Sequence, residues 1–179
     1  MKKIIIAALL TACTTTAFAE PDDFAMINGK KVTINDTKKS LIQKLGKPTK
    51  DDSGYTTWTI PQNSLISVNW DGSTIANLGV TSVNPKITNN CINTAGKTLC
   101  LNKDTVNTAV AKVTRGCFDK MTIEGETTYD MFISSHNEGN WYQSKISTTG
   151  KGGIATVRNL KIDSFNFGSA VQQTDNCNY

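Results

Sequence analysis

The feature that most constrains this chain is its N-terminus, because it fixes the compartment in which everything after it folds. Met1-Lys2-Lys3 supplies a basic start, Ile4 to Leu10 a short apolar run, and Ala17-Phe18-Ala19 a small-x-small site. Together these make a secretory signal peptide of residues 1–19, with an apolar stretch too short to span a bilayer permanently. Cleavage after Ala19 would leave a mature chain beginning at Glu20 in a bacterial periplasm or outside the cell. A second signal overlaps the first. Leu10-Thr11-Ala12-Cys13 resembles a lipobox, and a lipidated Cys13 would tie the protein to the outer membrane without a spanning helix. The well-formed Ala-Phe-Ala site favours the soluble, periplasmic form, and the membrane enters only if Cys13 is lipidated.

Export makes the cysteines legible. Four remain after cleavage, Cys91, Cys100, Cys117 and Cys177, and an even number in an exported chain predicts two disulfides with three pairings open. Cys91–Cys100 would clamp a hairpin around Asn93-Thr94-Ala95-Gly96, leaving Cys117–Cys177 to fasten the C-terminal tail. Cys100–Cys117 with Cys91–Cys177 is nearly as good. Zinc pairs sit two to four residues apart, and these spacings do not fit, so no metal and no cofactor are expected. Of the 19 lysines and arginines, Lys2 and Lys3 leave with the signal, so 17 remain against 15 acidic residues. Those charges are scattered rather than gathered in a basic stripe, which argues against a nucleic-acid partner.

Along the mature chain, an acidic arm (residues 20–30) leads to an extended segment ending Val32-Thr33-Ile34. Asn35-Asp36-Thr37 offers capping side chains, Lys38 to Leu45 reads as a short helix, and Gly46 and Pro48 stop it. Three strands follow: Tyr55 to Ile60, Leu65 to Trp70, and Ile75 to Val80, with Asp71-Gly72 as the hairpin turn. The second half echoes this order. Leu99 to Asn102 stands for Val32 to Asn35, Asp104-Thr105 for Asp36-Thr37, Ala109, Val110 and Val113 for Leu41, Ile42 and Leu45, and Thr127 to Met131 for Thr56 to Ile60. The expected fold is therefore α+β: two tandem repeats (31–84 and 85–179), each a short helix or helix pair packed on an antiparallel β-meander, held by two disulfides.

The run Thr37 to Thr49 with Leu45, Gly46 and Pro48 in place, then Trp58, then Asp71-Gly72, resembles the BamE/SmpA/OmlA family of small outer-membrane lipoproteins and the β-lactamase-inhibitor-protein (BLIP-like) family. The resemblance covers residues 31–80, and reaches 98–162 only through the internal echo, where Val113 to Cys117 replaces the Leu-Gly-x-Pro ending. It implies helices on one face of an antiparallel sheet, with the other face free to bind. Two repeats with two disulfides lean towards the inhibitor-like architecture.

Catalytic signals are weak. His136, the sole histidine, lies in a polar loop with no Gly-x-Ser-x-Gly elbow to supply a nucleophile. The acid pairs Asp22–Asp23, Asp51–Asp52 and Glu124/Glu126 read as solvated turns rather than the spaced carboxylates of a glycosidase. Gly150 to Gly153 lacks the spacing of a phosphate loop and reads as a hairpin turn. The strand aromatics Tyr55, Trp58, Trp70, Tyr129, Trp141 and Tyr142 are the candidate partner-binding residues. On an open sheet face they would be hot-spot anchors; on the other face they would be core. The expectation is a non-catalytic periplasmic protein-binding module, an inhibitor or immunity-type protein of a secreted enzyme or toxin. An outer-membrane-associated envelope assembly factor is the alternative, and a small periplasmic hydrolase the second.

Overall fold

Two hairpins carry the same device and set the geometry around them. In β1 (Phe24–Ile27) and β2 (Lys30–Thr33), the two-residue turn holds Asn28 and Gly29 at φ of 48° and 76°. In β7 (Cys91–Thr94) and β8 (Lys97–Cys100), Ala95 and Gly96 stand at 48° and 69°. Successive positive φ values match the twist of the flanking strands, which is why Asn-Gly is favoured there and Ala is not. The computed structural model describes residues 23–112, 117–123, 126–135, 141–151, 156 and 158–173, with the backbone alone at 117–123, 134–135, 141–143 and 170–173.

The helix α1 (Lys38–Leu45) forms where the sequence places it. Thr37 Oγ1 accepts from Ser40 N at 3.2 Å, and Gly46 N–H donates to Ile42 O at 2.9 Å, closing the last turn. The strands β3 (Lys50–Asp52), β4 (Tyr55–Ile60), β5 (Ser64–Asp71) and β6 (Thr74–Ser82) follow as an antiparallel meander, and Asp71 pairs with Thr74 across the predicted turn. After β7 and β8 come the helix α2 (Val106–Lys112) and the strands β9 (Cys117–Ile123), β10 (Glu126–Ser135), β11 (Trp141–Lys151) and β12 (Ser164–Gln173).

The strands assemble into two sheets, and both cross the expected repeat boundary. An eight-stranded sheet runs β3-β4-β5-β6-β12-β11-β10-β9, and a four-stranded one runs β2-β1-β7-β8. The pairing of β6 with β12 fuses the two meanders, and the pairing of β1 with β7 fuses the two hairpins. Gly168 in β12 is a condition of the first junction: a Cβ there would lie 2.1 Å from Ala76 O. Trp58, Ile66, Val80, Phe165, Ile146 and Met131 form one row straight across six strands, each at most 1% exposed. Onto that row pack Ala25, Ile27, Val32, Ile92 and Leu99 of the small sheet, Leu41 of α1 and Ala109 of α2, in a single apolar cluster.

The expected α+β architecture of two helix-on-meander repeats is thereby corrected. Strand dominates, the described helices are two short ones, and one core replaces two, because long-range strand pairing joins what the local patterns kept apart. The arm expected at 20–30 contains β1. The turn expected at Gly150 to Gly153 instead begins inside β11, which continues through Lys151. The two expected disulfides are also corrected: among the described residues there is one, Cys91–Cys100, joining directly paired positions of β7 and β8 with Cα atoms 4.0 Å apart. Cys177 and the side chain of Cys117 lie outside the described residues, as do the signal peptide, Cys13, Asp22, Glu124 and His136.

Candidate functional site

Because side chains alternate along a strand, the core row dictates the opposite face of the large sheet. One residue from Trp58, the row Thr57, Ser67, Gly79, Asn166 crosses four strands. Beside it run Thr59, Leu65, Thr81, Ser164 on one flank and Tyr55, Asn69, Asn77, Gly168 on the other. No side chain in these three rows carries a charge. Leu65 is 42% exposed and Tyr55 37%, and Thr59, Asn69 and Thr81 are exposed with them. A Cβ at Gly79 would fall 2.5 Å from Asn166 Oδ1 and 3.0 Å from Ser67 Oγ, so those two polar side chains close over the glycine and level the floor.

Further along the same face the chemistry changes. Lys145 Nζ lies 3.0 Å from Asp130 Oδ2, and Ser147 Oγ donates to Asp130 Oδ1 at 2.5 Å. Phe132 is fully buried with the Lys145 ammonium 5.8 Å from its ring centre, which ends the open part of the face. Burial pushes the Asp163 carboxyl above its ordinary range despite the Thr149 N–H it accepts at 2.8 Å.

The six candidate aromatics are dispersed. Tyr55 stands on the open face. Trp58, 1% exposed, is core, and its indole N–H donates to Gly46 O at 2.8 Å, tying β4 to the end of α1. Tyr129, 2% exposed, is core as well, and burial raises its phenol above the usual range. From the folded chain, neither can anchor a partner. Trp70 is half-buried on the helix side, its indole N–H donating to Thr56 Oγ1 at 2.9 Å. Trp141 and Tyr142 belong to the backbone of β11, and their side chains lie outside the described residues. Leu65, exposed near the start of β5, is an ordinary strand aliphatic with no mark of its own in the sequence; the signal is its phase, opposite to Ile66 and Val68.

Two buried acids hold the scaffold behind this face. Asp36 accepts from Thr33 N at 2.8 Å, Ser40 Oγ at 2.7 Å and Lys44 Nζ at 2.6 Å. Burial alone would raise its pKa, but the bonds from Lys44, Ser40 and Thr33 outweigh it and lower the value below 3.8. Asp104 repeats the arrangement with Cys100 N at 2.8 Å and Lys112 Nζ at 2.7 Å. Among the described residues, no group of three or more His, Cys, Asp or Glu could hold a metal, and no helix is long and apolar enough to cross a membrane.

The Cys91–Cys100 disulfide fits an extracellular or periplasmic compartment. The sequence matches no family profile and no curated protein. Among solved structures it is similar to a cysteine-rich secretory protein from Staphylococcus aureus, at 12% identity and a TM-score of 0.39. The match covers 76% of this chain and 43% of that one, so the chain spans less than half of its length. A likeness at that level assigns neither function nor fold.

Proposed function

We propose that this chain is a non-catalytic binding module of the bacterial periplasm, which docks a folded protein on the open face of its eight-stranded sheet. The partner class is a secreted enzyme or toxin that it inhibits or neutralises. The observation that carries the reading is the uncharged field across β4, β5, β6 and β12. Tyr, Leu, Ser, Thr, Asn and Gly on a rigid support are the composition of protein-recognition surfaces, in which one or two aromatic or aliphatic anchors sit among adaptable hydrogen-bonding groups. Absence of charge also removes the desolvation cost that buried ions impose on an interface. The core row beneath supports the field, and docking needs no bond to be made or broken.

A photo-crosslinking residue at Leu65 tests it in whole periplasm. Adducts with one discrete protein are expected, lost when Asn69→Arg places a charge in the field, and absent when the crosslinker stands at Ile42 on the helix side. Equal labelling from Ile42, or adducts indifferent to Asn69→Arg, would refute the reading.

The envelope-assembly alternative has its own support in Leu10-Thr11-Ala12-Cys13 and in the resemblance of residues 37–49 to small outer-membrane lipoproteins. Radioactive fatty acid incorporated into the wild type but not into Cys13→Ser is its expected signature.

A further inference from the structure

The strongest feature outside the sheet face lies at the opposite side of the same sheet end. There a cavity of about 470 Å³ opens between the start of α1, the β3–β4 turn and the β5–β6 turn. Small-molecule sites occupy roughly 300–1,000 Å³, so the space is adequate for a compact ligand. Its walls are fixed. Trp70 N–H donates to Gly54 O at 2.9 Å, tying the two turns together, and the Trp70 indole N–H is held by Thr56 Oγ1 at 2.9 Å while its ring packs on the core. Gly54 and Gly72 beside the ring carry no side chain to cover it.

The polar groups around the ring divide into committed and free ones. Lys38 is paired with Asp51, and Asp52 with Lys50. Lys39 has no ion pair among the described residues, and the exposed hydroxyls of Ser53 and Ser73 make no described hydrogen bond. One pinned aromatic ring, two hydroxyls and one ammonium on an open, otherwise polar wall suit a ligand with an apolar C–H face, hydrogen-bonding hydroxyls and a single negative charge.

We propose that this cavity is a binding site for an acidic pyranoside, stacked on Trp70 with its carboxylate towards Lys39. The ring that carries the site is on the helix side, away from the docking face.

Methyl glucuronide and methyl glucoside are the probes, titrated into the mature protein while the indole N–H resonance of Trp70 is followed by NMR. A saturable shift is expected with the glucuronide. Lys39→Ala should weaken it about 3- to 5-fold, the scale of one exposed charge contact, and bring it level with the glucoside. Ser73→Tyr, at an exposed turn position where folding is not at stake, should fill the cavity and abolish the shift. No saturable shift at Trp70, or one that survives Ser73→Tyr, would overturn the site. Equal binding of the two sugars by the wild type would overturn the acidic ligand.

Discussion

Trp58 and Leu65 lie on adjacent strands, one register position apart, and their substitution should separate core from surface. Trp58→Phe removes the indole N–H donated to Gly46 O at 2.8 Å and leaves part of the ring's volume empty in a site 1% exposed. The lost hydrogen bond costs about 1 kcal/mol and the incompletely filled space about 1–2 more, for a total of about 2–3 kcal/mol. Leu65→Asp replaces a side chain that is 42% exposed in an uncharged field, and should change stability by no more than about 0.5 kcal/mol. Urea unfolding followed by far-ultraviolet circular dichroism resolves the two. With a slope near 2 kcal/mol/M, Trp58→Phe lowers the midpoint by about 1–1.5 M and Leu65→Asp by under about 0.25 M. In the crosslinking assay the order reverses: Leu65→Asp abolishes partner capture and Trp58→Phe leaves it intact at a temperature where both are folded. Midpoints that shift equally would show that Trp58 is not sealed and that the two faces have been assigned the wrong way round.

Asp36→Asn should cost about 2 kcal/mol at pH 7, the scale of hydrogen bonds to a charged group. Because the folded pKa of Asp36 is lowered, its contribution is complete above 3.8 and fades as pH falls through the folded value. The gap in melting temperature between wild type and variant should therefore narrow steadily as the pH is lowered below 3.8. Asp163 has the opposite sign. Its folded pKa is raised by burial, so its ionised form burdens the fold at neutral pH and the burden lifts in acid. Asp163→Asn, which can still accept from Thr149 N, should raise the melting temperature at pH 7 and leave it unchanged at pH 3; a loss at both would show the carboxylate to be a net support. Ala95→Asn places a residue tolerant of positive φ at 48° and should add about 0.5–1 kcal/mol, seen as a higher urea midpoint, whereas Ala95→Val should lower it.

The parts of the fold that were legible in the sequence are those fixed within a few residues. Thr37 as a cap, Gly46 and Pro48 as a stop, and Asp71-Gly72 as a turn are local chemistry, and α1 and the β5–β6 hairpin formed on them. Partner choice between distant strands has no local signature. Nothing in Phe24 to Ile27 announces a strand that pairs with Cys91 to Asn93, so it passed for an arm, and nothing in β6 points to β12. The same gap explains the aromatics. Alternation puts Tyr55 and Trp58 on opposite faces but does not say which face is core, since Thr56 and Thr57, one sealed and one half-exposed, are the same residue type. The buried acids are another case. Asp36 precedes α1 and Lys44 lies in its last turn, eight positions on, too far apart for a pair rule based on helical neighbours. The uncharged field proposed for docking is the least legible of all. Thr, Ser and Asn on a strand look, residue by residue, like any solvated edge. Three separate pairings, β4 with β5, β5 with β6 and β6 with β12, set Thr57, Ser67, Gly79 and Asn166 side by side and turn scattered polar residues into one continuous surface.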